Sequence, residues 1–347
     1  MSAWDLLPRM RPGAAGALLV SAVLALSACQ PLGEGDDGDE SAAASAPAAS
    51  GGGTGEGGDA QRLSIATGGT GGVYFPLGGG LADLITNNIE GYTATAEETN
   101  ASVDNMNLIG SGQSDIAFVL GDTASDAAAG TGEFEGGAID ACAIGILYTN
   151  FTQLVASADS GITSVADLEG KRVSVGEAGS GTETIGLRVL EAAGIDPDSG
   201  IERAQLGVAE TVDALRDGTL DAGFWSGGLP TGALVDYAST GDMVIVPTAE
   251  YAADLQDQYG DYYLESEIAA DTYENQSEAV QVIGVPNVLV VNTSMDEGLQ
   301  EQLTALLFEH KDELVAVHPA AEELDQETAG DVAFMDVCPG AQTFYGS

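Results

Sequence analysis

The chain has 347 residues, 44% of them hydrophobic, which exceeds one average domain and leaves enough apolar surface for two cores. It carries 55 acidic against 9 basic side chains, a formal charge of −46, so nucleic acid and anionic membrane surfaces are poor partners. With only Lys171 and Lys311 for lysine, the balance reads as a surface adapted to concentrated salt, where counterions screen self-repulsion.

Residues 1–28 read as a leader. Arg9 and Arg11 precede an apolar, alanine-rich run from Ala14 to Leu26, which ends in Leu26-Ser27-Ala28-Cys29. The run is too short to cross a bilayer, and small residues precede the cysteine, the pattern of a lipoprotein signal peptide. Cys29 is then the lipidated first residue of an exported protein that meets the membrane through its anchor alone. Loss of the leader takes 55 acids to 54, 9 bases to 7 and the net charge from −46 to −47. From Cys29 to residue 60 the chain is mostly Gly, Ala, Ser, Asp and Glu. Such a segment cannot bury a core and reads as a disordered acidic tether, spreading over about 30 Å.

At residue 61 the pattern changes. "RLSIATGGTGGVYFPLGGGLADLI" (62–85) predicts a strand, a glycine loop and a helix with Leu77, Leu81, Leu84 and Ile85 on one face. The loop fits neither usual nucleotide-phosphate pattern, lacking both the Lys-Ser/Thr pair and a G-x-G-x-x-G in frame. A glycine loop feeding a helix still gathers backbone N–H groups that favour a smaller anion. "ETNASVDNMNLI" (98–109) opens a second helix with Ser102 and Asn105 on one face. In "LIGSGQSDIAFVLGD" (108–122), Gly112 suits a left-handed helix cap, and Asp115 to Phe118 suits a buried strand.

The chain then repeats itself. "KRVSVGEAGSGTETIGLRVLEAAGI" (171–195) is again strand, glycine loop and helix, with Ile185, Val189, Leu190 and Ala193 periodic. "ALRDGTLDAGFWSGG" (214–228) repeats Gly-x-x-Asp as Gly218 and Asp221, followed by Phe224. "WSGGLPTGAL" (225–234) adds a glycine turn, with Pro230 and Thr231 opening a helix. Duplicated units of this kind build two α/β lobes, each with its loop at the carboxyl end of a strand. Facing lobes would bring two helix N-termini to one cleft. The β-rich stretches 145–157 and 281–294 read as crossovers, dividing the chain into a first lobe (61–150), a second lobe (151–282) and a return to the first (283–347). A closing helix from Glu297 to about Val317 buries Leu299, Leu303, Leu306, Leu307, Leu314 and Val317 against the first lobe, and Pro319 stops it.

No catalytic constellation emerges. His310 and His318 lie in or beside the closing helix, far from the loops and without metal-ligand spacing. No G-x-S-x-G elbow occurs, and the sequence calls for no enzyme activity, metal or cofactor. Thr67, Thr70, Ser180 and Thr182 place hydroxyls among glycines at helix starts, where they either cap the helix or bind a carboxylate together with N–H groups. Tyr74 and Trp225 either wall a small ligand or pack in the core. Arg62, Arg172, Arg188, Arg203 and Arg216 all fall outside the loops, leaving anion recognition to helix termini and hydroxyls. After lipidation, Cys142 and Cys338 remain; export permits a disulfide between them, which spacing alone leaves open.

In chain order, "ATGGTGGVYFPLGGGLADL", "ETNASVDNMNLI", "VGEAGSGTETIGLRVLEAAGI", "AGFWSGGLPTGAL" and "CPGAQTFY" resemble segments of the TAXI-type solute receptors of TRAP transporters, from about residue 62 to the end. The resemblance implies an α/β, two-lobed, periplasmic-binding-protein-like (type II) fold with a ligand cleft between the lobes. It implies a monomeric extracytoplasmic receptor on the outer face of the cytoplasmic membrane. Hinge closure would capture a small carboxylate or amino acid (glutamate, glutamine or a related acid) for an ion-driven TRAP-type permease. It points to Thr67, Gly68, Thr70, Gly71, Tyr74, Ser102 and Asn105 as ligand contacts in the first lobe. In the second it points to Gly179, Ser180, Gly181, Thr182, Trp225 and Thr231. The chain departs from the family at Cys338-Pro339-Gly340-Ala341, where His-Pro-Gly-Ala is common, which implies a bridge from Cys338 to Cys142. It departs again at "ETNAS", where a glycine-serine pair is usual. An ABC-type small-anion receptor, a ligand sensor and a secreted two-lobed enzyme with a cleft active site are the other readings the sequence leaves open.

Overall fold

A computed structural model describes residues 60–241 and 243–346; the leader, the lipidation site Cys29 and the tether up to residue 59 lie outside the described residues. The first lobe alternates strand and helix: β1 (Gln61–Ala66), α1 (Tyr74–Asn88), β2 (Tyr92–Glu97), α2 (Ser102–Ser111), β3 (Ile116–Leu120) and α3 (Gly121–Ala129). The long strand β4 (Ala141–Ser157) leads into the second lobe. There follow β5 (Arg172–Ser174), α4 (Gly181–Ala192), β6 (Glu202–Ala204), α5 (Val208–Arg216) and β7 (Ala222–Gly227). The lobe ends with α6 (Gly232–Thr240), β8 (Met243–Val246), α7 (Ala252–Tyr259) and β9 (Leu264–Ile268). The strand β10 (Val280–Asn292) returns the chain, followed by α8 (Glu297–Glu309), α9 (Lys311–Val317) and α10 (Pro339–Tyr345).

Both lobes obey one pairing scheme. In the first the strand order is β2-β1-β3-β10-β4, with pairings parallel, parallel, antiparallel and antiparallel. In the second, β6-β5-β7-β4-β8 gives the same series. Strands β4 and β10 serve both lobes: β10 pairs with β9 over Val280–Gly284 and with β3 over Asn287–Val291. The sheet is open, and the two strand series give a two-lobed α/β fold.

The sequence repeat has a structural cause. Gly112 and Gly218 both adopt left-handed backbone, φ 69° and 66°, where α2 and α5 end, a conformation that a Cβ disfavours. Three residues on, the Asp115 carboxylate accepts the Ser64 N–H of β1 at 2.8 Å, and Asp221 accepts the Arg172 N–H of β5 at 2.9 Å. Each Gly-x-x-Asp thus ends a helix and then pins the opening strand of its lobe. Strand β3, Ile116 to Leu120, is buried throughout, because helices cover both faces. Ile116 and Phe118 face Leu77, Leu81 and Ile85 of α1 and Leu303 of α8, while Ala117 and Val119 face Met106 and Ile109 of α2 and Ala124 of α3. In the second lobe, Val173 and Phe224 pack on Ile185 and Val189 of α4, and Val155 packs on Val212 of α5 and Leu234 of α6.

Two local expectations are corrected. The closing helix is broken at His310 (φ −116°, ψ 23°) into α8 and α9. Lys311 then reaches the carbonyls of Glu322 and Leu324 at 2.9 and 2.6 Å, so α9 lays Leu314 on the first lobe while Val317 is left 42% exposed instead of buried. Helix α6 starts at Gly232 with Thr231 as its N-cap, leaving Pro230 outside the helix, because Thr231 is held in extended backbone by its N–H bond to the Tyr273 hydroxyl at 3.0 Å. Cys142 of β4 and Cys338, just before α10, form a disulfide with Cα atoms 5.0 Å apart. It lies in the first-lobe core. No helix among the described residues is long and apolar enough to cross a membrane.

Candidate functional site

Between the lobes lies a cavity of about 40 Å³. The first lobe lines it with Gly68 and Tyr74 from the first glycine loop, Ala101 and Ser102 at the start of α2, and Leu120 at the end of β3. The second lobe adds Glu177, Ser180, Gly181 and Thr182 from its own glycine loop, and Trp225 and Ser226 from β7. Three helices therefore begin in the lining. The starts of α1 and α2 carry no side-chain cap, whereas Ser180 caps α4 by accepting the Glu183 N–H at 3.1 Å. Uncapped first turns present the positive end of the helix dipole, and in α2 one first-turn N–H, that of Asp104, is already taken by the Gly179 carbonyl at 3.1 Å.

The hydroxyls of the lining are positioned by the opposite elements of their own lobes. Ser102 Oγ accepts the Leu120 N–H at 3.1 Å, and Thr182 Oγ1 accepts the Ser226 N–H at 3.1 Å. The Tyr74 hydroxyl receives hydrogen bonds from Asn150 Nδ2 at 3.2 Å and Asn287 Nδ2 at 2.5 Å, one from each crossing strand. Burial drives this hydroxyl well above the ordinary tyrosine range, against the pull of its bonds to Ser102, Asn150 and Asn287. Asn150 Oδ1, Asn287 Oδ1, Thr152 Oγ1 and Ser226 Oγ are buried without a hydrogen-bond partner. Buried polar atoms are ordinarily satisfied; of these four residues only Ser226 belongs to the cavity lining, and the other three lie in the crossing strands behind it.

Of the residues singled out in the sequence, the structure brings Gly68, Tyr74, Ser102, Ser180, Gly181, Thr182 and Trp225 into one lining. The others stand behind it or at its edges. Thr67 donates its hydroxyl to the Glu97 carbonyl at 2.6 Å. Asn105 spends its amide on the carbonyls of Thr67 and Phe118 at 2.7 and 2.8 Å and accepts from the Thr99 hydroxyl at 2.6 Å, tying β1, β3 and α2 together. Thr70 is exposed. The Gly71 carbonyl accepts the Ala233 N–H at 3.4 Å and the Gly179 carbonyl accepts the Asp104 N–H at 3.1 Å, both across the cleft. Thr231 Oγ1 accepts the Trp225 indole N–H at 3.0 Å and so fixes the ring.

Glu177, Ser226, Asn150 and Asn287 were passed over in the sequence. Glu177 sits inside the second glycine loop, where the hydroxyls drew the reading, and Ser226 follows Trp225 in a strand read for its aromatics. Burial, and then the neighbouring Glu210, Glu98 and Asp104, push the Glu177 carboxyl up. No arginine, lysine or histidine lines the cavity.

The lobes approach closely. A Cβ on Gly181 would lie 2.5 Å from Leu120 Cδ1 and 2.8 Å from Ser102 Oγ, and one on Gly72 would lie 2.9 Å from the Trp225 ring. Beside the cleft, Arg188 of α4 pairs with Asp126 of α3 at 2.5 Å and approaches Asp122 to 3.7 Å. The Tyr263 hydroxyl accepts from Arg188 at 2.8 Å and donates to Asp122 at 2.9 Å, and the guanidinium lies 4.0 Å above the Tyr259 ring. Burial pushes the fully enclosed Asp122 carboxyl up, while Arg188 and the Tyr263 hydroxyl pull against it. This arrangement can enclose a small molecule with N–H groups, hydroxyls and one carboxylate. Neither histidine lines it: His310 pairs with Glu313 at 2.7 Å, and His318 accepts the Ala320 N–H at 3.1 Å.

Among solved structures, the chain is similar to the periplasmic aliphatic sulphonate binding protein SsuA from Escherichia coli, at 17% identity over 76% of this chain and 75% of that one, with a TM-score of 0.43. It is similar to an ancestral arginine-binding protein bound to arginine, at 16% identity over 76% and 98% of the two chains, TM-score 0.46. A protein from Xanthomonas citri bound to ATP is similar at 14% identity over 82% and 98%, TM-score 0.48. The model of the NMT1-like family matches residues 65–346, the whole of both lobes after the first strand has begun, and the chain belongs to the NMT1-like family.

Proposed function

We propose that this chain is the extracytoplasmic solute receptor of a TRAP-type permease, of the TAXI kind, lipid-anchored through Cys29 and working as a monomer. It captures a small carboxylate or amino acid, glutamate and glutamine foremost, without changing it chemically. The observation that carries this reading is the enclosed cavity between two lobes, into which each lobe contributes a glycine loop and a helix start. Such a site is complete only when the lobes meet, so a ligand with more contacts in the closed form shifts the protein toward it. The order of the five TAXI-like segments supports the choice of permease.

The test is thermal unfolding of the full chain in molar potassium chloride, with L-glutamate, L-glutamine, 2-oxoglutarate, C4-dicarboxylates and phosphate. A ligand at a hundred times its dissociation constant adds about 2.7 kcal/mol to the folded state. The expected result is a shift with one carboxylate or amino acid that is recovered unaltered. Consumption of the compound would replace the receptor with an enzyme, and no shift across the panel would remove this ligand class. Reconstitution with a TRAP permease, where added receptor must stimulate uptake of the same compound, tests the partner.

A further inference from the structure

The two strands that join the lobes change partners at the same level. Along β10, pairing with β9 of the second lobe ends at Gly284 and pairing with β3 of the first begins at Asn287, leaving Val285 and Pro286 on β4 alone. Along β4, pairing with β7 of the second lobe begins at Phe151, directly after Asn150. Asn150 lies across from Val285 and Asn287 across from Tyr148, so the two asparagines are diagonal neighbours on one face of the pair.

Both side chains are enclosed, the residues being 1% and 0% exposed, and both donate to one acceptor, the Tyr74 hydroxyl. Their Oδ1 atoms have no partner, so among the described residues that oxygen is what holds either amide in place. With two donors on it, the oxygen has little left to accept from a ligand. Tyr74 nevertheless belongs to the cavity lining, and its ring stacks on Phe118 with centres 5.4 Å apart. One residue thus touches the cleft and both crossing strands. Water does not replace a bond in so enclosed a place, so a bend that carries either asparagine away from Tyr74 leaves a buried donor unsatisfied.

Building on the reading of a receptor that closes by a hinge, we infer that Tyr74 is a positioning residue whose hydroxyl pins Asn150 and Asn287 in the arrangement the closed lobes require. It thereby sets how often the protein closes before any ligand arrives. The bonds belong to the form in which Gly181 abuts Leu120 and Ser102 across the cleft, and losing them withdraws support from that form.

The test reads the distance between the lobes in the ligand-free full chain, in molar potassium chloride, by pulsed electron resonance. Nitroxide labels go on Asn87→Cys in α1 and Asp217→Cys at the end of α5, both exposed, and Cys29→Ser keeps that position unlabelled. Tyr74→Phe keeps the ring and removes the hydroxyl; it should lower the ratio of short to long distances by at least about threefold, the effect of one lost hydrogen bond on a two-state balance. Asn287→Leu should act in the same direction, and it decides the question where Tyr74→Phe does not fold. The two changes together should move the ratio no further than Tyr74→Phe alone, because both act through one oxygen. Distances that neither change alters, even with a lowered Tm, would reduce the hydroxyl to a packing contact and overturn the inference, as would strict additivity of the two. The distances are read without ligand. Failure of glutamate, glutamine and the rest of the panel to bind would therefore remove that ligand class and leave this inference to be decided by the distances.

Discussion

Ala101 holds φ at +72° as the N-cap of α2, in a region that side chains other than glycine rarely adopt. Its strain, of order 1–3 kcal/mol, is set against the extra flexibility glycine would bring to the unfolded chain. Ala101→Gly should therefore stabilise the protein by about 1 kcal/mol, seen as a higher urea midpoint at unchanged slope; an unchanged or lower midpoint would mean that the Ala101 methyl matters more than its backbone. Glu177 makes a second prediction, on pH. Its carboxyl is pushed up in the folded protein by burial first and by three acidic neighbours next, so the fold prefers it protonated. The stability tied to this proton is fully present below the unfolded carboxyl value, about 4.3, and is lost as the pH rises through the higher folded value. Glu177→Gln should remove that loss, so its Tm advantage over the parent should grow from pH 4 toward neutrality and vanish at the acid end. A constant difference across the range would point to packing instead of charge.

At the scale of elements, α4 carries the closure. Its first residue, Gly181, leaves no room for a Cβ against Leu120 and Ser102 of the other lobe. Gly181→Ala should hold the lobes apart, weakening any compound that stabilises the parent by at least about tenfold, or about 1.4 kcal/mol. Small-angle scattering should show a larger radius of gyration than the ligand-bound parent, and equal radii with equal affinity would show that the lobes need not meet this closely. Farther along the same helix, Arg188 neutralises two carboxylates of α3. Replacing it by methionine strands the buried Asp122 and should cost about 3–5 kcal/mol; adding Asp122→Asn should return much of that, and strict additivity of the two changes would deny the coupling. The elements that carry these effects were readable in the sequence because glycine loops and apolar spacing are local signals, and because the repeat of Gly112 and Asp115 as Gly218 and Asp221 doubled them. The break at His310 was not. Leu306, Leu307 and Leu314 keep helical spacing across it, and no proline or glycine marks it. Asn150 and Asn287 escaped for a different reason: each lies inside a long strand with other polar residues, and it acquires meaning only beside Tyr74, which is distant in sequence.

Across the whole molecule, one covalent tie spans 196 positions, from Cys142 to Cys338. Closing a loop of this length restricts the unfolded chain severely, and removing a native disulfide costs about 2–5 kcal/mol. The pair Cys142→Ser with Cys338→Ser should lower the urea midpoint accordingly while unfolding remains cooperative; an unchanged midpoint would mean that the packing of α10 on α8 suffices without it. The crossing strands set a consequence of another kind, in time instead of energy. In the first lobe β10 lies between β3 and β4, so that sheet stays split until Val280–Asn292 has been made. The five-strand series of the second lobe needs only β4 to β8, which follow one another without interruption and are complete at Val246, before α7, β9 and the first half of β10 join that lobe. A chain emerging from its amino end can therefore pair the five-strand series of its second lobe first, while the lobe that began earlier waits with the edge of β3 unpaired. Until β10 arrives, that waiting edge is the part of the nascent protein most open to wrong partners.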